Sequence, residues 1–304
     1  MMVMRAGAPK VRIDELLFAP TGATLVTPIG AAGVSLWRTF ANGAKAEILH
    51  PPVPSAKRLA FAPDGRTLFV GNDRLCALDL VSGAGVPVEV PAWASLWFGV
   101  SPDGTRLVIV ESPKPTEGTR LTLRATNALG APTREVLFSS LVYSPPLFLP
   151  TGDHFVLLEG TLLPSRQWEY RGVTRMTATG EMSASTEPFA DAPDQMILSP
   201  DGRTLACRTR ETIRLYPIGG GPVTVITNDG KKQFTGIAYH PSGAHLAATN
   251  NDKTVKLYAA ATGQIARTLT WDIGRMRSVA FSPDGALAAA GSDTGKVVVW
   301  DVDE

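Results

Sequence analysis

The tripeptide Pro-x-Gly, with Asp, Thr or Ser in the middle, begins at Pro20, Pro63, Pro102, Pro150, Pro200, Pro241 and Pro283 of this 304-residue chain. Successive intervals are 43, 39, 48, 50, 41 and 42 residues. Proline presets a turn position, Asp or Ser can bond nearby backbone, and Gly accepts positive φ. An apolar run precedes each tripeptide (ELLF, KRLAF, LWFGV, PPLFL, QMIL, GIAY, SVAF) and a second run follows, as in TLFVG and HLAAT. Each unit therefore opens as a hairpin of two strands, a and b.

A third run, strand c, comes next: GVSLWRTF, RLCALDL, RLTLRAT, GVTRMTAT, TIRLYPI, TVKLYAA and KVVVWDV. Six of these are followed by a glycine turn, at Gly43, Gly83, Gly130, Gly180, Gly220 and Gly263, and then by a fourth run, strand d. Repeated units of about 40–45 residues with four antiparallel strands predict an all-β fold, a seven-bladed β-propeller of four-stranded antiparallel blades. The predicted blades occupy residues 11–52, 53–92, 93–139, 140–190, 191–230, 231–272 and 273–304, as a single domain over 1–304. The seventh unit reaches Glu304 without a strand d, while residues 1–7 belong to no unit. This N-terminal segment is expected to complete the last blade, closing the ring and removing an open edge.

Composition narrows the function. Basic and acidic residues number 29 and 28, for a net charge of +1, which argues against a general nucleic-acid binder. No apolar stretch approaches the roughly 18 residues of a membrane span. The N-terminus, MMVMRAGAPKVR, has no long apolar core and no small-residue cleavage site, so no secretory signal is read there. Cys76 and Cys207 are too few for a disulfide framework and lie in apolar stretches, as buried thiols would. A cytoplasmic, monomeric protein is expected.

The last repeat, SVAFSPDGALAAAGSDTGKVVVWDV, resembles the WD-repeat (WD40) family, including Trp300-Asp301 at the end of strand c. The sixth, GIAYHPSGAHLAATNNDKTVKLYAA, resembles it too, with Tyr258-Ala259 in place of Trp-Asp, and Asp252 and Asp293 stand where the family places an Asp in the b–c turn. The other blades are more degenerate, and the Gly-His pair before strand a is missing from all seven. The stretch FAPDGRTLFVGNDRLCALDLVSG is equally similar to lactonase-type propellers.

Searching for chemistry yields little. GSDTGK at 291–296 has three residues between its glycines where a phosphate loop has four, and no Ser or Thr follows the Lys. The histidines, His50, His154, His240 and His245, lack zinc-protease spacing and any Cys-x-x-Cys. Gly-x-Ser-x-Gly is absent. No catalytic residue, metal site or cofactor is assigned. A lactonase-type hydrolase with a central-channel site would need a third ligand beside Asp14 and Asp194, and remains the alternative.

The resemblance implies a non-catalytic scaffold that binds a protein or peptide on the propeller face bearing the d–a and b–c loops. It also implies channel-ringing positions at Asp14, Lys57, Leu96, Ser144, Asp194, Thr235 and Arg277. With positions two residues earlier, Arg12, Lys57, Arg275 and Arg277 would form a basic arc over blades 7, 1 and 2. Two long b–c connections, residues 111–120 and 159–171, account for the longest intervals. Trp168 and Tyr170 are placed in the second, and Trp93 and Trp97 in the connection entering blade 3. Aromatic and Arg residues dominate interface energetics. The expected partner is an acidic peptide with an apolar anchor.

Overall fold

The computed structural model describes residues 1–7, 11–90, 95–112, 118–189, 191–228 and 232–303. Every described regular element is a β-strand, and the strands assemble into seven antiparallel sheets. Blade 1 contains β2 (Leu17–Phe18), β3 (Leu25–Pro28), β4 (Val34–Trp37) and β5 (Glu47–Leu49). Blade 2 contains β6 (Arg58–Phe61), β7 (Thr67–Gly71), β8 (Leu75–Asp79) and β9 (Gly85–Val88). Blade 3 contains β10 (Ser95–Val100), β11 (Arg106–Ser112), β12 (Thr119–Ala125) and β13 (Arg134–Phe138). In blade 4, strand a is broken into β14 (Leu141–Val142) and β15 (Leu147–Phe148), followed by β16 (His154–Leu162), β17 (Trp168–Met176) and β18 (Met182–Ser185).

Blade 5 contains β19 (Gln195–Leu198), β20 (Thr204–Arg208), β21 (Thr212–Pro217) and β22 (Thr224–Thr227). Blade 6 contains β23 (Phe234–Tyr239), β24 (His245–Asn250), β25 (Thr254–Ala259) and β26 (Ile265–Thr270). Blade 7 contains β27 (Met276–Phe281), β28 (Leu287–Ser292) and β29 (Lys296–Asp301), completed by the N-terminal strand β1 (Met2–Arg5). Seven such blades, the last finished by the N-terminus, are the architecture of a seven-bladed β-propeller.

Turn chemistry explains the repeat. The glycines of the seven a–b turns all adopt φ between 64° and 78°. In three of them the Ser before Pro donates to the turn Asp: Ser101 to Asp103 at 2.5 Å, Ser199 to Asp201 at 2.6 Å and Ser282 to Asp284 at 2.5 Å. The same hydroxyl accepts the backbone N–H that opens strand b, from Arg106, Thr204 and Leu287 at 2.9–3.0 Å. These three turns thus satisfy their own polar groups and leave the flanking runs free to pair.

The chain forms two compact units. In the first, Met1–Pro51, Ser55–Leu59 and Pro193–Glu304, adjacent blades bury apolar faces against one another. Val279, Ala288 and Trp300 of blade 7 pack with Val255 and Leu257 of blade 6, and Phe234 and Tyr258 of blade 6 pack with Ile213 and Leu215 of blade 5. Side chains of the first strands then tie blades together. The Gln195 amide donates to Ile237 O at 3.2 Å, Thr235 to Met276 O at 2.8 Å, and Ser278 to Ile13 O at 2.7 Å.

Strand β1 is held on both edges. It pairs with β29 from Met2↔Val299 to Arg5↔Lys296. On its other side, Gly43 N donates to Val3 O at 2.8 Å, and Arg5 exchanges bonds of 3.3 Å with Ala44 and Ala46. In an antiparallel pair successive residues alternate between facing the partner and facing away, so Met2 and Met4 direct their backbone groups at β29. The second unit, Pro52–Pro54 and Ala60–Ala192, repeats the packing: Phe69 and Leu75 lie against Leu96 and Phe98, and Val108 and Leu121 against Phe155 and Leu157. Sheets buried on both faces require near-continuous apolar strands, which is what the repeat carries.

Cys76 and Cys207 are buried free thiols, and burial pushes the Cys76 thiol up to about 11. Among the described residues no helix is long and apolar enough to cross a membrane.

Candidate functional site

Blade 4 departs furthest from the repeat. Strands β16 and β17 are nine residues each, longer than their neighbours can cover. On the inner side the last paired residue is Gly160, opposite Leu141. On the outer side β18 pairs only as far as Val173, and the 186–189 segment continues the edge through Thr186 N→Gly172 O and Phe189 N→Tyr170 O, at 2.9 and 2.8 Å. Beyond these points, among the described residues, Thr161↔Glu169 and Leu162↔Trp168 pair only with each other. The result is a two-stranded tip that projects from its sheet.

The tip closes with Arg166 N→Leu163 O and Leu163 N→Gln167 O, both 2.9 Å, a turn followed by a left-handed residue. That residue is Arg166, with φ 61°, at a position glycine usually fills. Trp168 and Tyr170 were expected in a loop. They lie instead on β17, because alternating β-prone residues on both sides of the Pro164 turn extend the ladder.

The tip is aromatic. Tyr143 meets Trp168 and Tyr170 edge-on, with ring centroids 6.3 and 5.5 Å apart, and Trp168 stacks on Tyr170 at 6.4 Å. Close approach requires Gly160, where a Cβ would lie 2.8 Å from the Tyr143 ring. Tyr143 and Trp168 each remain 39% exposed and Leu162 54%. The pair Arg171–Glu169 at 2.8 Å flanks the cluster. Sequence reasoning missed Tyr143, Leu162 and Arg166; the 50-residue interval pointed to the hairpin, but only the break between β14 and β15 brings Tyr143 over it.

Trp97 was expected in a connection, yet it sits on β10 opposite Val110 and packs into the core between blades 3 and 4. A strand sandwiched between two blades packs its side chains against a neighbour, so Trp97 is partly buried there. Trp93 lies outside the described residues, as do residues 113–117 of the other long connection. Of the expected channel positions, Leu96 is fully buried and Ser144 is 3% exposed, its hydroxyl accepting Leu158 N–H at 2.8 Å.

In the first unit, Arg12 and Arg277 both pair with Asp14, at 2.9 and 2.8 Å. Arg12, Asp14, Glu15 and Lys57 line a cleft of about 610 Å³. Burial pushes the Glu15 carboxyl up to about 8, against the opposing pull of Arg58 and the Leu59 N–H. Burial thus works against the charged form of Glu15 beside these cations. Arg275 is exposed, and its backbone N–H is held by Asp293 at 3.0 Å. Asp14 thus organises the arginines while partly neutralising them. Deeper, burial lowers the pKa of Arg208 despite its 3.4 Å pair with Asp194. Among the described residues, no group of three or more His, Cys, Asp or Glu could hold a metal ion.

Blade architecture defines a β-propeller, and blade 4 adds to it an exposed aromatic cluster. Residues 220–259 and 264–301 match the WD40 family (WD domain, G-beta repeat). The β-propeller domain of Myceliophteria thermophila Cps50 (Swd1) superposes with a TM-score of 0.75, covering 97% of each chain at 16% identity. Among curated relatives, the serine-threonine kinase receptor-associated protein of Gallus gallus is 26% identical over 136 residues, 44% of this chain and 36% of that protein. Actin-interacting protein 1 of Caenorhabditis elegans is 28% identical over 112 residues, 35% of this chain and 18% of that protein. Both matches span about a third or less of the relative's length. The chain thus has the fold of a seven-bladed β-propeller, and its last two blades carry WD40 repeats.

Proposed function

We propose that this propeller is a non-catalytic scaffold that binds a partner protein through the projecting tip of blade 4. WD40 propellers are typically protein-interaction scaffolds, and the observation that carries the reading here is the exposed cluster of Tyr143, Trp168 and Leu162 on a two-stranded ribbon. Exposed apolar groups clustered in this way mark interaction sites, and Trp and Tyr are enriched among interface hot spots. An apolar anchor on the partner suits the tip. In the first unit, the cleft beside Arg12, Lys57, Arg275 and Arg277 suits an acidic segment.

Affinity purification from host lysate with mass spectrometry, comparing wild type with Trp168→Ala and with Lys57→Glu/Arg275→Glu, tests each surface by itself. A hot-spot tryptophan contributes about 2 kcal/mol or more, roughly a 30-fold loss of affinity on truncation. The expected result is a partner retained by wild type and lost by Trp168→Ala. Equal retention by both would remove the blade 4 tip from the binding site, and the absence of any specific partner would overturn the scaffold reading.

A further inference from the structure

Among the described residues only two that are not glycine take a left-handed conformation, Arg166 with φ 61° and Lys253 with φ 72°. Both are cations in b–c turns, at positions where glycine or asparagine is the unstrained choice. Lys253 has a local use, because its Nζ donates to Asp272 at 2.9 Å, in the connection between blades 6 and 7. Arg166 differs. Its backbone closes the ribbon through Arg166 N→Leu163 O, but its side chain is exposed and makes no hydrogen bond or ion pair with a described residue. Glycine would complete the same turn without strain, so the turn does not call for an arginine. Strained residues of this kind gather at ligand clamps and switch regions.

The surroundings say what the guanidinium would meet. Three charged residues lie between 161 and 171: Arg166, Glu169 and Arg171. Glu169 and Arg171 pair with each other at 2.8 Å, and Arg171 also donates to Thr186 O at 3.1 Å. Arg166 is therefore the charge that the ribbon presents. It stands two residues from Trp168, which faces Leu162 across the ladder. An exposed cation thus borders an exposed apolar cluster. A segment carrying Lys or Arg beside its apolar anchor would meet a like charge there, whereas Asp or Glu would gain a charge-assisted hydrogen bond.

We propose that Arg166 is a specificity-determining contact of the blade 4 tip, and that the segment it selects carries an Asp or Glu next to a large apolar side chain. The apolar side chain lies on Trp168, Tyr143 and Leu162, and the carboxylate accepts from the Arg166 guanidinium. Arg166 has this role only if the tip is the partner-binding surface proposed for it.

A phage-displayed random peptide library, depleted on Trp168→Ala and then selected on wild type, retains peptides that need the tip. The survivors should carry Asp or Glu beside Trp, Phe, Leu or Met. Synthesised, they are titrated against the full-length chain by fluorescence polarisation. Arg166→Gly should weaken them by about tenfold or more, the loss expected when a hydrogen bond to a charged group is removed, with a melting temperature no lower than that of wild type. Replacing the peptide's carboxylate by its amide should cost a similar factor in wild type and nothing further in Arg166→Gly. Arg166→Lys, which keeps the charge without the planar fork, should retain part of the affinity. Survivors without an acidic residue, or undiminished binding to Arg166→Gly, would overturn the role of Arg166 and leave the tip as the binding surface. The absence of any survivor would remove the tip itself, and Arg166 with it.

Discussion

Met4 should be among the most sensitive positions outside the repeats themselves. It is fully enclosed in a cluster with Ile13, Leu25, Trp37, Val297 and Val299, and it sits on the strand that completes blade 7. Met4→Ala leaves the backbone pairing possible but removes the side chain that anchors β1. Truncating a buried Met to Ala costs about 2–5 kcal/mol, the spread depending on how far the cavity collapses. With an unfolding entropy of about 2.1 cal/mol/K per residue, each kcal/mol lowers the melting temperature of a chain this long by roughly 1.6 °C. The expected loss is therefore about 3–8 °C by calorimetry. Urea unfolding should show a lower midpoint with an unchanged slope. Met182→Ala, at a position 62% exposed on β18, is the control and should stay within about 0.5 kcal/mol of wild type. If Met4→Ala melted together with Met182→Ala, β1 would not be an integral strand of blade 7.

Other outcomes follow from buried charge and backbone conformation. Glu159 and Arg175 form a 2.8 Å ion pair with side chains 7% and 6% exposed, and Ser140 donates to the same carboxylate. Glu159→Ala would strand the guanidinium and should destabilise by about 3–5 kcal/mol in chemical denaturation. Glu15, with its carboxyl raised to about 8, binds a proton in the native state over a range where the unfolded chain has lost it. Its contribution to stability should thus fall as pH rises from about 4.5 to about 8. Glu15→Gln should flatten that slope, and an unchanged pH profile would refute the assignment. Arg166→Gly relieves a left-handed arginine and should raise stability by roughly 0.5–1 kcal/mol. A loss of stability in that variant would mean that the Arg166 side chain holds the tip together.

The sequence by itself determined the repeat and its closure. Pro-x-Gly turns act locally: proline fixes one torsion and glycine takes φ near 64–78°, so seven hairpins could be read without knowing what packs on them. The closing strand was equally legible, because blade 7 lacked a fourth apolar run while residues 1–7 had no other place. Asp14, Arg12 and Arg277 were recognised as candidates.

What each of them does was decided by contacts distant in sequence. Asp14 bonds an arginine 263 positions away, so the expected basic arc carries its own counter-charge. Trp97 and Trp168 are both tryptophans near a blade edge, and nothing local separates them. The first is partly buried against the core between two blades, while the second stands on a ribbon that outruns its neighbours. Tyr143 joins the second only because strand a of blade 4 breaks there. His240 shows no metal-ligand spacing in the sequence, yet its ring lies against Gly285 of blade 7 and lines a cleft. Turn geometry depends on a few neighbouring torsions and survives in the sequence, whereas exposure and charge pairing depend on which blades meet, and only the tertiary structure settles that.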